Sequence, residues 1–143
     1  MTTNSPQTFP DIIKKMMFNA PIQKVWDAVS TAEGIAAWFM PNDFKPILGA
    51  TFSIHSPYGV SSCEVLELEP PNKLVFSWGE DWLITFALED LEGQTSFTLI
   101  HGGWSDKVAP ETGMSHSVIR NNMNNGWESQ VLPRLQHYVE ASS

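Results

Sequence analysis

Between Leu74 and His101 the chain reads LVFSWGEDWLITFALEDLEGQTSFTLIH, three runs in which large apolar side chains recur at every second position. Leu74, Phe76 and Trp78 line one side of the first run, Trp82, Ile84, Phe86 and Leu88 of the second, and Phe97, Leu99 and His101 of the third. Successive side chains of a strand point to opposite faces, so a period of two predicts strands with one face buried. Gly79-Glu80-Asp81 and Glu92-Gly93 interrupt the runs as short turns, and strands joined this closely pair antiparallel.

On the N-terminal side, Pro70-Pro71-Asn72 separates this meander from a strand at Cys63 to Leu68. Before it, Phe52 and Ile54 alternate with Thr51, Ser53 and His55 ahead of a turn at Pro57-Tyr58-Gly59. Asp11 to Phe18, with Ile12, Ile13, Met16 and Met17, reads as the first strand. Ile22, Val25, Trp26 and Val29 then follow Pro21 at helical spacing, and Pro21 suits a first helical position. A second short helix, Ala32 to Phe39, is capped by Ser30 or Thr31 and stops at Met40-Pro41, because a residue before proline avoids the α region. Residues 1–10, polar and with two prolines, form a loose lead-in to a single domain spanning 11–143.

On the C-terminal side, Gly102 to Gly113 reads as a loop, with Gly102 and Gly103 permitting a bulge or a sharp exit from the strand. From about Met114 to Glu140 helical spacing returns. At about 100° per residue, Met123, Trp127, Val131, Leu135 and Tyr138 share one stripe, as in a helix lying on a sheet. Pro133 sits inside this helix and predicts a kink or break near Ser129 to Pro133. The element order predicts an α+β fold, a curved antiparallel sheet of about six strands wrapped around a long C-terminal helix, with two short helices after strand one.

The composition fits one globular domain with a true core: 143 residues, 42% hydrophobic and 17% charged. Eight Lys plus Arg against sixteen Asp plus Glu give a formal net charge of -8, which argues against nucleic acid and against anionic membrane surfaces as partners. The longest apolar stretch, Ile35 to Pro41, is far short of the roughly 20 residues that span a bilayer, so no membrane insertion is expected. With one cysteine, Cys63, and no leader-like N-terminus, a cytoplasmic location is expected. His55, His101, His116, His137 and Cys63 show no metal-ligand spacing, and no phosphate-binding glycine loop or nucleophile elbow occurs. No metal, cofactor or catalytic acid and base pair is therefore expected.

His116, Arg120 and Asn124 fall on the stripe that later carries Met123, Trp127 and Val131, so one helix face is polar in its first half and apolar in its second. Turned toward the sheet, it would give a pocket with an apolar floor and a few directional polar groups. Arg120 would there anchor a carboxylate, phosphate or phenolate; otherwise Arg120 and His116 project past the sheet edge into solvent. His101 shares the face of Phe97 and Leu99 and points inward, as a hydrogen-bonded core residue or as part of the site. Six tryptophans against two tyrosines supply wide flat faces, some as core and some as cavity wall.

Several motifs carry a family resemblance: Phe18-Asn19-Ala20-Pro21 with Val25-Trp26, Trp38-Phe39, Gly49-Ala50-Thr51-Phe52, Glu69-Pro70-Pro71-Asn72-Lys73-Leu74 with Phe76-Ser77-Trp78, and Gly126-Trp127. From about Asp11 to Val139 the chain resembles the Hsp90 ATPase activator-like group of the START-related, birch-pollen-allergen-like superfamily. The resemblance implies the helix-grip fold, a sheet gripping the C-terminal helix around a hydrophobic cavity. Relatives of this fold bind lipids, sterols, polyketides or flavonoid-like compounds, some catalyse cyclisation, and a few act on a chaperone. The eukaryotic activator resembles this chain only in its C-terminal domain and has a further N-terminal domain for chaperone contact. The expected function is binding of a small apolar molecule, lipid-like, polyketide or flavonoid-like. Trp78, Phe86, Phe97, Met123 and Trp127 would be its walls, and His101, His116 and Arg120 would orient its polar end. The alternatives are a partner that stimulates an Hsp90-type ATPase, and a cavity enzyme such as a cyclase or hydrolase.

Overall fold

The alternating runs form six strands: β1 (Ile12–Phe18), β2 (Thr51–Ser56), β3 (Gly59–Glu69), β4 (Lys73–Trp78), β5 (Trp82–Asp90) and β6 (Thr95–Gly102). The helices are α1 (Ile22–Val29), α2 (Ala32–Trp38), α3 (His116–Gly126) and α4 (Leu132–Glu140), with a π-helical turn, Trp127–Val131, between the last two. This computed structural model describes residues 11–56, 59–79, 82–103 and 116–140. The lead-in 1–10, the turn residues 57–58 and 80–81, and residues 104–115, which include most of the expected loop and the expected start of the last helix, lie outside the described residues.

The strands make one antiparallel sheet in the order β1-β6-β5-β4-β3-β2. Register places Ile12 opposite His101, His101 opposite Ile84, Ile84 opposite Phe76 and Phe76 opposite Val65. All five are buried, so this row crosses the inner face of the sheet, where each strand turns its apolar set. α4 packs against α1, α2 and β1, closing that face near the β1 edge. Two polar ties hold it there: Glu140 accepts from the Asn19 backbone N–H at 2.8 Å, and Lys14 on β1 pairs with Glu128 of the π-turn at 3.1 Å.

Local chemistry sets the helix ends. Thr31, rather than Ser30, caps α2 by accepting the Gly34 N–H at 3.0 Å, while the Ser30 hydroxyl donates to the Trp26 carbonyl. Pro21 stands one position earlier than expected, as the cap residue of α1 instead of its first helical residue. α2 ends at Trp38, with Phe39 as its C-terminal cap. β3 begins at Gly59, four residues before the Cys63 read from sequence, because Val60 to Ser62 pair with β2 although they lack a strong apolar alternation.

The break expected at Ser129 to Pro133 takes the form of the π-turn. Pro133 lacks an N–H and its ring would strike the Ser129 carbonyl in a regular α-helix. Instead the Leu132 N–H bonds the Trp127 carbonyl, five residues back, and the wide turn absorbs one additional residue. Everything beyond it is advanced by about 100°. The buried residues there are Leu132, Leu135 and Val139; Val131 is half-buried, and Tyr138, predicted on the buried stripe, is 40% exposed.

Candidate functional site

His101 ends the inward row of β6, with Trp82 at the start of β5 and Trp78 at the end of β4 beside it. Strand register therefore gathers three ring side chains at one end of the inner face. The ring of His101 lies 5.5 Å from that of Trp78, 5.4 Å from Trp82 and 6.1 Å from Trp127 (centroid distances). The π-turn supplies Trp127 from above, and the end of α2 supplies Phe39, stacked on Trp127 at 5.2 Å and edge-on to Trp78 at 5.5 Å. Such offset and edge-to-face pairs each contribute about 0.5–1.5 kcal/mol beyond area burial.

A buried polar bond crosses this box. Trp127 Nε1–H donates to His101 Nδ1 at 3.1 Å, with both residues buried. Because Nδ1 accepts, the proton of the neutral imidazole sits on Nε2. Burial, reinforced by the charge of Arg120, lowers the His101 pKa from 6.5 to about 3, so the ring stays neutral in any ordinary buffer. The Trp78 indole is also buried, at 3% exposure, and its Nε1–H meets no acceptor among the described residues.

The structure brings Trp78, His101 and Trp127 into direct contact, with Arg120 half-buried and acting electrostatically on His101. Met123 is half-buried and packs on the core. Phe86 and Phe97 touch one another a layer away, where Phe86 also meets Trp38 and Phe76 and Phe97 meets Phe18. His116 opens α3, and its side chain lies outside the described residues. Sequence reasoning did not single out Phe39 or Trp82 for this site. Trp82 was legible as an inward residue of its strand, whereas Phe39 enters through the chain direction at the α2 cap, which no periodicity encodes.

A groove of about 490 Å³ lies elsewhere, on the outer side of α4, lined by Ala37, Ser129, Pro133, Arg134 and His137 among others. It contains none of the predicted residues. Among the described residues no three His, Cys, Asp or Glu side chains group to hold a metal ion, and no helix is long and apolar enough to cross a membrane. Cys63 is buried on β3, and burial pushes its thiol up to about 12, so it is packing rather than chemistry.

A six-stranded antiparallel sheet carrying two short helices after its first strand and a long C-terminal helix on its inner face defines the helix-grip class. The chain belongs to the activator of Hsp90 ATPase homolog 1-like family, whose model matches residues 19–140. It is similar to the Bacillus halodurans protein BH1534, with 43% identity over 94% of this chain and 99% of that one, and a TM-score of 0.85. The Mesorhizobium loti protein MLL2253 shares 24% identity, covering 93% and 98%, with a TM-score of 0.79. The Aha1 dimer protein of Colwellia psychrerythraea shares 20% identity, covering 93% and 98%, with a TM-score of 0.73. These last two likenesses concern the fold. No functionally curated protein is significantly similar to the chain.

Proposed function

We propose that the protein binds a small apolar molecule, ring-containing or acyl, between the inner face of the sheet and the segment formed by α3 and the π-turn. The observation that carries this reading is the buried His101–Trp127 hydrogen bond set inside a box of aromatic rings. A plain core favours aliphatic side chains without polar atoms, whereas apolar walls with a few placed polar groups are the make-up of small-molecule sites.

Access would come through α3. Of its described side chains only Ile119 is buried, and four asparagines with Gly126 make its helix propensity poor, roughly 3–4 kcal/mol below an all-alanine segment. Lifting such a helix requires little disruption of packing, while the better-packed α4 holds the fold together. Trp78, Met123 and Trp127 would line the opened space, Phe86 and Phe97 would form its floor, and His101, Arg120 and His116 would orient the ligand.

Native mass spectrometry of freshly purified protein, followed by tryptophan fluorescence titrations with fatty acids, phospholipids and flat polyphenols, tests the proposal. A retained or saturable ligand is the expected result. An apo mass with no fluorescence response to any class would overturn it. Membership of a family named for activating the Hsp90 ATPase favours a second reading, contact with an Hsp90-type chaperone. A several-fold rise in the ATPase rate of purified chaperone, with no small molecule bound, would establish that reading in its place.

A further inference from the structure

We infer that the box around His101 recognises an oxygen acceptor on its ligand, and an anionic oxygen in preference to a neutral one. This rests on the ligand-binding reading above and adds to it the chemistry of the ligand's polar end.

The argument runs from which groups donate and which accept. His101 has one lone pair available on its ring, at Nδ1, and Trp127 occupies it at 3.1 Å. The remaining ring nitrogen, Nε2, carries the proton and is a donor. The indoles of Trp78 and Trp82 have a donor and no acceptor, the ring of Phe39 has no polar atom, and a guanidinium is donor-only. Trp78 has ring contacts with Phe39, Trp82 and His101, none of which has a side-chain atom left to receive its N–H. Consistent with this, that N–H meets no acceptor among the described residues. A buried N–H without a partner carries a desolvation penalty that a ligand oxygen would remove.

Arg120 then decides the charge. Its guanidinium charge is felt at His101, and five N–H groups allow it to hold a further acceptor besides an existing one. A cation would meet repulsion from Arg120 and find no lone pair on His101, while a hydrocarbon would leave the Trp78 N–H as it is. A carboxylate, sulfonate, phenolate or polarised carbonyl attached to an apolar body satisfies both.

A matched pair of dyes tests this directly on the whole protein. 1-Anilinonaphthalene-8-sulfonate and N-phenyl-1-naphthylamine share the same ring body, and only the first carries an anion. With a formal net charge of -8, the protein surface disfavours the sulfonate, so any preference for it belongs to the site. The expected result is that the sulfonate binds about tenfold or more tightly than the neutral dye. Trp78→Phe removes one donor, and Arg120→Gln, at a half-buried position, removes the charge. Each should bring the ratio to within about threefold. Equal binding of both dyes, or a ratio that survives Arg120→Gln, overturns the inference while leaving the ligand-binding reading in place. Saturable binding of neither dye overturns both.

Discussion

Replacing His101 by asparagine should flatten the dependence of stability on pH between pH 7 and about pH 5. The unfolded chain takes up a proton on this imidazole near the ordinary value of 6.5, whereas the folded protein resists until about pH 3. Between these limits proton uptake draws the equilibrium toward the unfolded chain. The stability held in neutral His101 is therefore complete above about pH 7 and is lost as the pH falls through the range toward 3. The loss is about 2 kcal/mol at pH 5 and about 4 kcal/mol by pH 3, against a total of about 5–15 kcal/mol for a typical domain. Asparagine places an acceptor near the Nδ1 position, so the Trp127 N–H keeps a partner while the titration disappears. Urea unfolding followed by tryptophan fluorescence at pH 7, 6 and 5 measures the effect in both proteins. His55, His116 and His137 are common to the pair, and their contributions cancel in the difference. Parallel pH profiles, agreeing to within about 0.5 kcal/mol, would refute the assignment of a neutral, buried His101.

Three further expectations follow from the packing. Gly34→Ala places a Cβ 2.6 Å from the Ala28 carbonyl and 2.8 Å from that of Asp27, both backbone, and should destabilise by about 1–3 kcal/mol in a thermal melt; an unchanged melting temperature would contradict the tight α1–α2 contact. Cys63 should resist a thiol reagent in the folded protein and react fully after unfolding in urea, since its thiol is buried and its pKa is raised to about 12; fast labelling of the native state would contradict this. Deleting Gln130 together with Pro133→Ala should convert the π-turn into continuous α-helix with Trp127, Leu132, Leu135 and Val139 still on one face. The variant should then lose no more than about 2 kcal/mol, whereas a loss above about 4 kcal/mol would show that the wide turn is needed in itself.

Most of the fold was legible because its signal is local. The inward sets of β4, β5 and β6 can be read two residues at a time, and antiparallel pairing follows from the shortness of the turns between them. The phase of the last helix was not legible. A fixed rotation of about 100° per residue assumes one helix type throughout, and the π-turn breaks that assumption between Trp127 and Leu132. Pro133 announced an interruption, but a proline can be met by a kink, a break or a wide turn, and only the last exchanges Tyr138 for Val139 at the buried face. The aromatic box of the candidate site was legible in part for a similar reason. Trp78 and His101 sit on strands whose direction alternation fixes, whereas Phe39 reaches Trp127 through the backbone at the end of α2, where no periodic rule applies.

The position of β1 has a consequence for how the protein is made. The first described strand pairs with the last, Ile12 with His101 through Phe18 with Thr95, across a separation of 77 to 89 residues. On a ribosome adding about 5–20 residues per second, β1 leaves the exit tunnel many seconds before its partner is synthesised. Throughout that interval Ile12, Met16 and Phe18 have no sheet to cover them, and the strand's hydrogen-bonding edges are open to any neighbouring nascent chain. Lys14 and Lys15 stand at the centre of the segment, where two adjacent positive charges repel a second copy of the same strand and guard a step of assembly that must wait for nearly the whole sheet.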